Sequence, residues 1–550
     1  MKVFSKKILA VSVLLAAAGP GTAVMAGTTA AVSVTPLKIV GNAASADVSL
    51  SKGGLHSAFE SDATNLVFGD SNFARDIFFR LGVSTITRIS VNSLGQEAKN
   101  TDVAVSWFDN DNHADSNNPA ISSDGKLVVF ESQANNLDRL TLDTNNDVVN
   151  NANNNTGVDI FLRDVAKKKT YRLSGVLDGA DGVTPGQLDV DGNPVLSIDA
   201  PWKVMVQGNE RSSNPAIAGT AKQAWVAFES KATNLSSLTT TTGRTHIYVV
   251  DLKTKKTELI SATHDPVTGA PLVESGTSAF APAISPDGRF VVYQSTSTNL
   301  VTSPATQPNG SIDIFIYDRK LFATYQLSGL VGAVSPTGGY TIATEADDDS
   351  SAASIAGGGK SKTKSYMIAF ESRATDLDVI PGADTDGDRD VFVVEFAAID
   401  PKNLSSAFEI KSVKRISAPV DSVTGLISGP AADQGDDTAA DNRAPVIAGT
   451  NLAYKVAFRS TADNLLSDPL SLYWNIDSNQ TEDTYVYTNT TRTFDRANVD
   501  VAGVQGTVNA NNPTISPDGK AVGFDTSDEF LVPELFGNDA TFTQAYVRKL

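Results

Sequence analysis

The chain has 550 residues, with 63 Asp and Glu against 44 Lys and Arg, and no cysteine. A formal charge of −19 argues against DNA, RNA and anionic membranes as partners, because each of these selects for basic surface. Without a thiol there are no disulfides, no thiolate metal sites and no Cys nucleophile.

Met1-Lys2 and Lys6-Lys7 precede an apolar run from Ile8 to Ala18, and Val24-Met25-Ala26 offers a small-residue exit before Gly27. That pattern is a cleaved secretory signal, expected over residues 1–26. The run is too short to cross a bilayer, and no later stretch reaches the roughly 20 apolar residues a spanning helix needs. Loss of Lys2, Lys6 and Lys7 takes the charge from −19 to −22. The mature protein is expected to be exported, periplasmic or extracellular.

After the signal one sentence repeats seven times. Ser285-Pro286-Asp287-Gly288 leads into Phe290–Ser295, then Asn299-Leu300, then Asp313-Ile314-Phe315. Its relatives centre on Phe59-Glu60-Ser61, Phe130-Glu131-Ser132, Phe228-Glu229-Ser230, Phe370-Glu371-Ser372, Phe458-Arg459-Ser460 and Phe524-Asp525-Thr526. Self-similarity at this period specifies the architecture before any single motif does. Each copy reads as four strands: a short strand a, a tight turn, an apolar strand b, an apolar strand c and a strand d. Strands b and c are nearly continuous apolar runs, as in Leu127-Val128-Val129-Phe130 and Val391-Phe392-Val393-Val394. Such strands are covered on both faces, which repeated sheets packed in a ring provide.

The expected fold is all-β, a seven-bladed β-propeller with blades at about 46–92, 116–176, 211–263, 278–330, 350–418, 441–498 and 508–550. The last copy stops at its strand c, Gln544 to Leu550, while residues 27–45 hold a spare strand-like segment, Ala31 to Val40. That segment is expected to supply the missing outer strand and close the ring, since an open edge invites pairing with another chain. Donation of the strand to a neighbouring molecule is the alternative; a monomer is expected.

The turns Ser285-Pro286-Asp287-Gly288-Arg289 and Ser516-Pro517-Asp518-Gly519-Lys520, with the Phe or Tyr strand and the Asp-Ile-Phe strand after them, resemble the TolB-type, WD40-like β-propellers of bacteria. The resemblance covers essentially the whole mature chain. It implies the fold and little about activity, because the repeat occurs in scaffolds, peptidases and lyases alike. It does not extend to TolB's N-terminal domain, where this chain has Gly27 to Ala46.

In such a meander the b–c loops and the d-to-a connections emerge on one face, the a–b and c–d turns on the other. The long segments are all of the first kind, so functional loops are expected there. The b–c loops carry oxygen ligands at spacings suited to a hard cation: Asp70, Asn72 and Asp76; Asp384, Asp386, Asp388 and Asp390; Asp477, Asn479 and Asp483. Structural Ca²⁺ is expected at these three loops. The second and fourth loops keep fragments, Asn153, Asn155, Asp159 and Asn309, Asp313, while His246 and Gln544 stand where the terminal Asp is lost.

Asn65, Asn136, Asn234, Asn299, Asn464 and Asp376 share one slot after strand b, expected to bond the b–c loop backbone. Only four histidines exist, His56, His113, His246 and His264, and none are spaced as zinc ligands. No Gly-x-Ser-x-Gly elbow sits on a strand-to-helix turn. Asp109 to Asp115 is the best candidate for carboxylate acid–base work, and a solvated connection is the alternative. The reading is a non-enzymatic binding or scaffold propeller, calcium-stabilised, presenting an acidic loop face to a protein or other extracytoplasmic ligand. A carboxylate-based lyase or hydrolase, and a strand-exchanged assembly subunit, are the alternatives.

Overall fold

The computed structural model describes residues 27–82, 85–99, 114–137, 157–177, 204–301, 310–331, 342–358, 364–377, 387–398, 408–418, 440–462, 464–466, 479, 481–532, 535 and 542–550. The repeated unit folds as its apolar pattern requires. Each copy is a four-stranded antiparallel sheet in the order a-b-c-d. In blade 1 these strands are Ser45–Leu50, His56–Ser61, Asp76–Leu81 and Thr85–Arg88. In blade 4 they are Ala279–Ile284, Phe290–Ser295, Asp313–Asp318 and Ala323–Gln326. Strands b and c are buried almost throughout, as Leu127–Ser132 and Asp159–Asp164 illustrate. The only helical element among the described residues is a single 3-10 turn, Lys52–Gly54.

Strands a form the inner wall. Ser45–Leu50, Ser116–Ile121, Ser212–Thr220, Ala279–Ile284, Ser350–Gly358, Asn442–Thr450 and Asn511–Ile515 touch one another in that order, and the last touches the first. The chain is a seven-bladed β-propeller. Seven apolar clusters hold it together, one between each neighbouring pair of sheets. Phe290, Ile314, Tyr366 and Phe392 join blades 4 and 5, and Val48, Phe59, Ala545 and Val547 join blades 7 and 1. Large side chains buried on both faces of every sheet are the main source of stability.

The ring closes as expected, through a shorter and earlier segment than Ala31 to Val40. Thr29–Ala31 pairs antiparallel with Gln544–Lys549, matching Thr29 to Arg548 and Ala31 to Tyr546. Val32 then donates to the Ala545 carbonyl at 2.8 Å. Beyond it the chain turns back on itself, bridging Val34 to Val40. Pro36 lacks the N–H that a continued strand needs, so the pairing ends before it.

On the turn face, Asp residues tie blades to their successors. Asp124 accepts from the Ala221 amide, Asp518 from the Gly53 amide and Asp287 from the Tyr366 hydroxyl, at 3.1, 2.8 and 2.8 Å. Gly288 of the Ser-Pro-Asp-Gly turn has φ +70°, and a Cβ there would lie 2.2 Å from the Trp225 ring of the preceding blade. Conformation and close approach both demand glycine.

Candidate functional site

The loop face is built on three repeated side-chain devices. The first joins strand c to strand d. In every blade the second residue of strand c donates its amide to the side chain two residues past the end of strand d: Ile77 to Ser90, Ile160 to Ser174, Ile247 to Ser261, Ile314 to Ser328, Val391 to Ser417, Thr484 to Asn498 and Ala545 to Ser33. The same serine donates to the carboxylate that opens strand c, as Ser174 does to Asp159 at 2.7 Å and Ser328 to Asp313 at 2.7 Å. An arginine two residues before the serine completes the unit. Arg88 meets Asp76, Arg172 meets Asp159, Arg415 meets Asp390 and Arg496 meets Asp483, at 3.1, 2.6, 2.8 and 3.0 Å.

These pairs bear on the expected calcium ligands. Asp76, Asp390 and Asp483, the last residue of each seven-residue loop, are buried and face an arginine. In the first loop one Arg88 nitrogen lies 2.9 Å from Asp70 and 3.1 Å from Asp76, and the other 2.8 Å from Glu97. A guanidinium stands where the spacing suggested a cation. Asn72 donates to the Ala98 carbonyl at 3.2 Å, and Asn479 to the Gly506 carbonyl at 2.7 Å. Asp388 is half-buried at the end of its loop, and Asp384, Asp386 and Asp477 lie outside the described residues. Among the described residues no three His, Asp or Glu side chains are grouped as a metal would need.

Blade 3 changes both members of the pair at once. His246 replaces the aspartate, Leu259 the arginine, and Glu274 lies 3.0 Å from the His246 Nε2 while binding Arg244 at 3.0 Å. Burial holds the His246 pKa below its usual value. In blade 4 Gln326 takes the arginine position, and burial pushes Asp313 up to about 6.

The second device corrects an expectation. The asparagines after strand b bond the preceding d-to-a connection rather than their own b–c loop. Asn136 donates to the Glu97 carbonyl and accepts from the Lys99 amide, both at 2.8 Å. Asn65 does the same with Val40 and Asn42, and Asn299 with Glu274 and Gly276. Short hairpins or bridges form in these connections, at Val91 and Glu97, at Ala262–His264 with Pro271–Glu274, and at Val499 and Gln505. The asparagine fixes where each hairpin returns to its blade.

The third device rings the mouth of the central channel. Every strand a bulges near its start, at its third residue in blades 1 to 6 and its second in blade 7, with positive φ at Asp47, Asn118, Asn214, Ala281, Ala352, Ala444 and Asn512. Five of these precede a proline, which favours leaving the right-handed helical region. The amide freed by the bulge points at the penultimate residue of the previous blade's strand b. Asn118 donates to Glu60, Asn214 to Glu131, Ala281 to Glu229, Ala352 to Gln294 and Ala444 to Glu371, at 2.7 to 3.1 Å. Asp47 donates to Asp525 in the same way across the closing joint. Arg459 is the exception, reaching Asn511 of the next blade at 2.9 Å.

Carboxylates concentrate where blade 7 meets blade 1. Burial, and then the charge of Asp47, pushes Glu60 and Asp525 each up to about 7, and burial raises Asp47 as well. A carboxyl whose folded pKa exceeds its unfolded value contributes stability that is lost as pH rises toward the folded value. The window here runs from about pH 4 to about pH 7. His246, buried, and His56 and His264, half-buried, are shifted down and act oppositely below about pH 6.5, so a comparison between variants isolates the acids. The Glu60→Gln/Asp525→Asn double variant is expected to match the wild type near pH 4 and melt above it at pH 8. Equal melting at both pH values in a denaturation series would refute the assignment.

Of the remaining sequence candidates, Asp115 accepts from the Arg75 amide at 2.9 Å, and residues 109–113 lie outside the described residues. His56 stacks on Phe79 with centroids 5.5 Å apart, and His264 packs on Tyr317 at 4.5 Å. Neither belongs to a catalytic arrangement among the described residues. The channel-mouth ring was missed from the sequence, although its signal is there: an Asn-Pro or Ala-Pro step opening strand a, and Glu-Ser closing strand b.

No protein-family model matches the chain, and no curated protein matches it. Solved structures do. An oligogalacturonate lyase in complex with manganese is similar at 10% identity, over 91% of this chain and 88% of that one, with a TM-score of 0.35. A putative TolB from Agrobacterium tumefaciens matches at 14% identity over 52% of this chain and 80% of that one, TM-score 0.21. The Dos1 propeller matches at 8% identity over 95% and 94%, TM-score 0.32. Their functions differ, and likeness at this level carries no argument about activity. The propeller rests on its own strand topology. No helix among the described residues is long and apolar enough to cross a membrane.

Proposed function

We propose that the protein is an exported, non-enzymatic binding module of the TolB-like kind, which engages a protein partner through the loop face of blades 7 and 1. One observation supports this most. The loops of these adjacent blades expose large apolar side chains together: Leu37, Ile39, Phe68, Phe73, Phe530 and Phe542. Phe73 is 89% exposed and sits at φ +54°, a backbone state that costs a bulky residue about 1–2 kcal/mol. Asn72 holds that turn by accepting from the Ala74 amide. Exposed aromatics gathered on one face are typical of partner surfaces.

The reading keeps calcium for the loop at 384–390, where Asp384, Asp386 and Asp388 give three carboxylates besides the Asp390 that Arg415 already faces. Chelator-sensitive melting is the measurement for that part. For the partner surface, the Phe68→Ser/Phe73→Ser variant is expected to melt within a degree or two of the wild type. It should lose, at least tenfold, a partner that the wild type retains from extracts of the producing cell. A wild type that retains nothing, or a variant that retains the same partner equally, overturns the reading.

A further inference from the structure

At the joint of blades 7 and 1 the ring around the channel mouth carries a carboxylate, Asp47, at the bulge position where blades 2, 3 and 7 carry an asparagine and blades 4, 5 and 6 an alanine. In blades 2 and 3 the bulge asparagine serves its own strand-b acid. Asn118 donates to Glu131 at 2.8 Å and Asn214 to Glu229 at 2.7 Å. In blade 1 the bulge residue is Asp47, which accepts where those asparagines donate. Among the described residues its carboxylate has no hydrogen-bond partner, and it is only partly covered. Behind it Asp525 is 3% exposed, and its Oδ1 is buried with no hydrogen-bond partner. The other oxygen of Asp525 serves the Asp47 amide and Asn512.

The cations nearby are already engaged. Arg75 binds Glu60 at 3.2 Å, Asp62 at 2.9 Å and Asn117 at 3.3 Å. Arg459 binds Glu482 at 3.1 Å and Asn511 at 2.9 Å. Arg75 and Arg459 are therefore committed to Glu60, Asp62 and Glu482, and neither makes an ion pair with Asp47 or Asp525 among the described residues. A buried acceptor left without a donor costs about 1–3 kcal/mol, which a donor arriving with a ligand recovers. The absence of a three-carboxylate group of metal geometry among the described residues speaks for an N–H cation rather than a bare ion.

We infer that the channel mouth at Asp47, Glu60 and Asp525 is a receptor for a cationic N–H donor, the guanidinium or ammonium of a basic side chain on the partner. The inference rests on the loop face being a partner surface and adds the chemistry of the anchor. Asp47 is the exposed contact, and Asp525 supplies the deeper acceptor. The same chemistry is offered by a free diamine or guanidine, so the test separates the two sources.

The experiment is calorimetry on the mature protein at pH 8 and low ionic strength, with three probes: a Gly-Arg-Gly-Arg-Gly peptide, agmatine, and calcium alone. The peptide is expected to bind, and Asp47→Asn to weaken it at least tenfold while melting at or above the wild-type temperature. Asparagine restores the donor found in blades 2 and 3 and suits positive φ, so lost binding with retained stability cannot be misfolding. Asp525→Asn should weaken binding in the same direction. Agmatine binding as tightly as the peptide assigns the site to a free amine and overturns the partner assignment. Binding unchanged in Asp47→Asn, no binding of either organic probe, or binding of calcium alone overturns the inference. Phe68→Ser/Phe73→Ser should keep full peptide affinity, so failure of the apolar surface and failure of the cation site give different results.

Discussion

A chain beginning at Asn42 is expected to melt far below the full protein and to self-associate as concentration rises. It would lose the pairing of Thr29–Ala31 with Tyr546 to Arg548, the Val32-to-Ala545 bond and the Ser33-to-Gln544 contact at 2.8 Å. It would also lose the burial of Ala31, Val32, Val34 and Val40. Arg80, 3% exposed and donating to the Val32 and Val34 carbonyls, would be left with a buried charge and those two acceptors gone. Backbone bonds at about 1 kcal/mol each and valines at about 1.5–3 kcal/mol each sum to something on the order of 8 kcal/mol, most of a typical domain's stability. The freed edge, Gln544–Lys549, is a template for another chain. Melting and light scattering over a concentration series would show both effects. A monomer with unchanged melting would mean that the ring does not depend on this strand.

The second large effect is expected at Arg172. Its side chain and that of Asp159 are each 1% exposed, with 2.6 Å between them, and the guanidinium also lies over the Phe161 ring at 5.3 Å. Arg172→Met leaves Asp159 with Ser174 and no cation, and breaking a buried pair in this way costs about 3–5 kcal/mol. Asp159→Asn/Arg172→Met is expected to recover most of that loss, because the desolvated charge is gone together with its partner. Lys167 and Asp164 make the contrast. Their 2.8 Å contact has the lysine 71% exposed, and Lys167→Ala is expected to cost under about 0.5 kcal/mol. Urea denaturation of the four proteins gives the comparison. A double variant no more stable than Arg172→Met would show that packing, rather than charge, is what the arginine supplies. Blade 3 already carries such a paired change in His246 and Leu259, and it places Arg244 and Glu274 beside the histidine.

The repeat was legible because apolar runs covered on both faces have few architectures open to them. Leu127–Ser132 and Asp390–Ala398 read as doubly buried strands and are. The missing strand d after Leu550 was legible by counting, and the N-terminal segment was the right source for it, although the strand is Thr29–Ala31 and shares only Ala31 with the expected Ala31 to Val40. The loop chemistry was less so. Asp76, Asp390 and Asp483 have the spacing of cation ligands, and the same spacing results whenever an aspartate opens strand c. Its partner, the arginine that precedes Ser90, Ser417 or Asn498, lies 12 to 25 residues further on in sequence. Adjacent in the sheet, the two are unremarkable in the chain.

Composition and period alone determined the fold class, the number of blades, the face on which the long loops emerge and the need for an N-terminal closing strand, since all follow from strand pattern and parity. Only the tertiary structure decided which charges meet. The Asp47 amide reaches Asp525 across 478 positions, and Arg75 reaches Glu60 and Asn117 in two different blades. Ring closure brings these groups together at one mouth, and burial there gives an ordinary Asp-for-Asn difference at position 47 its electrostatic consequence.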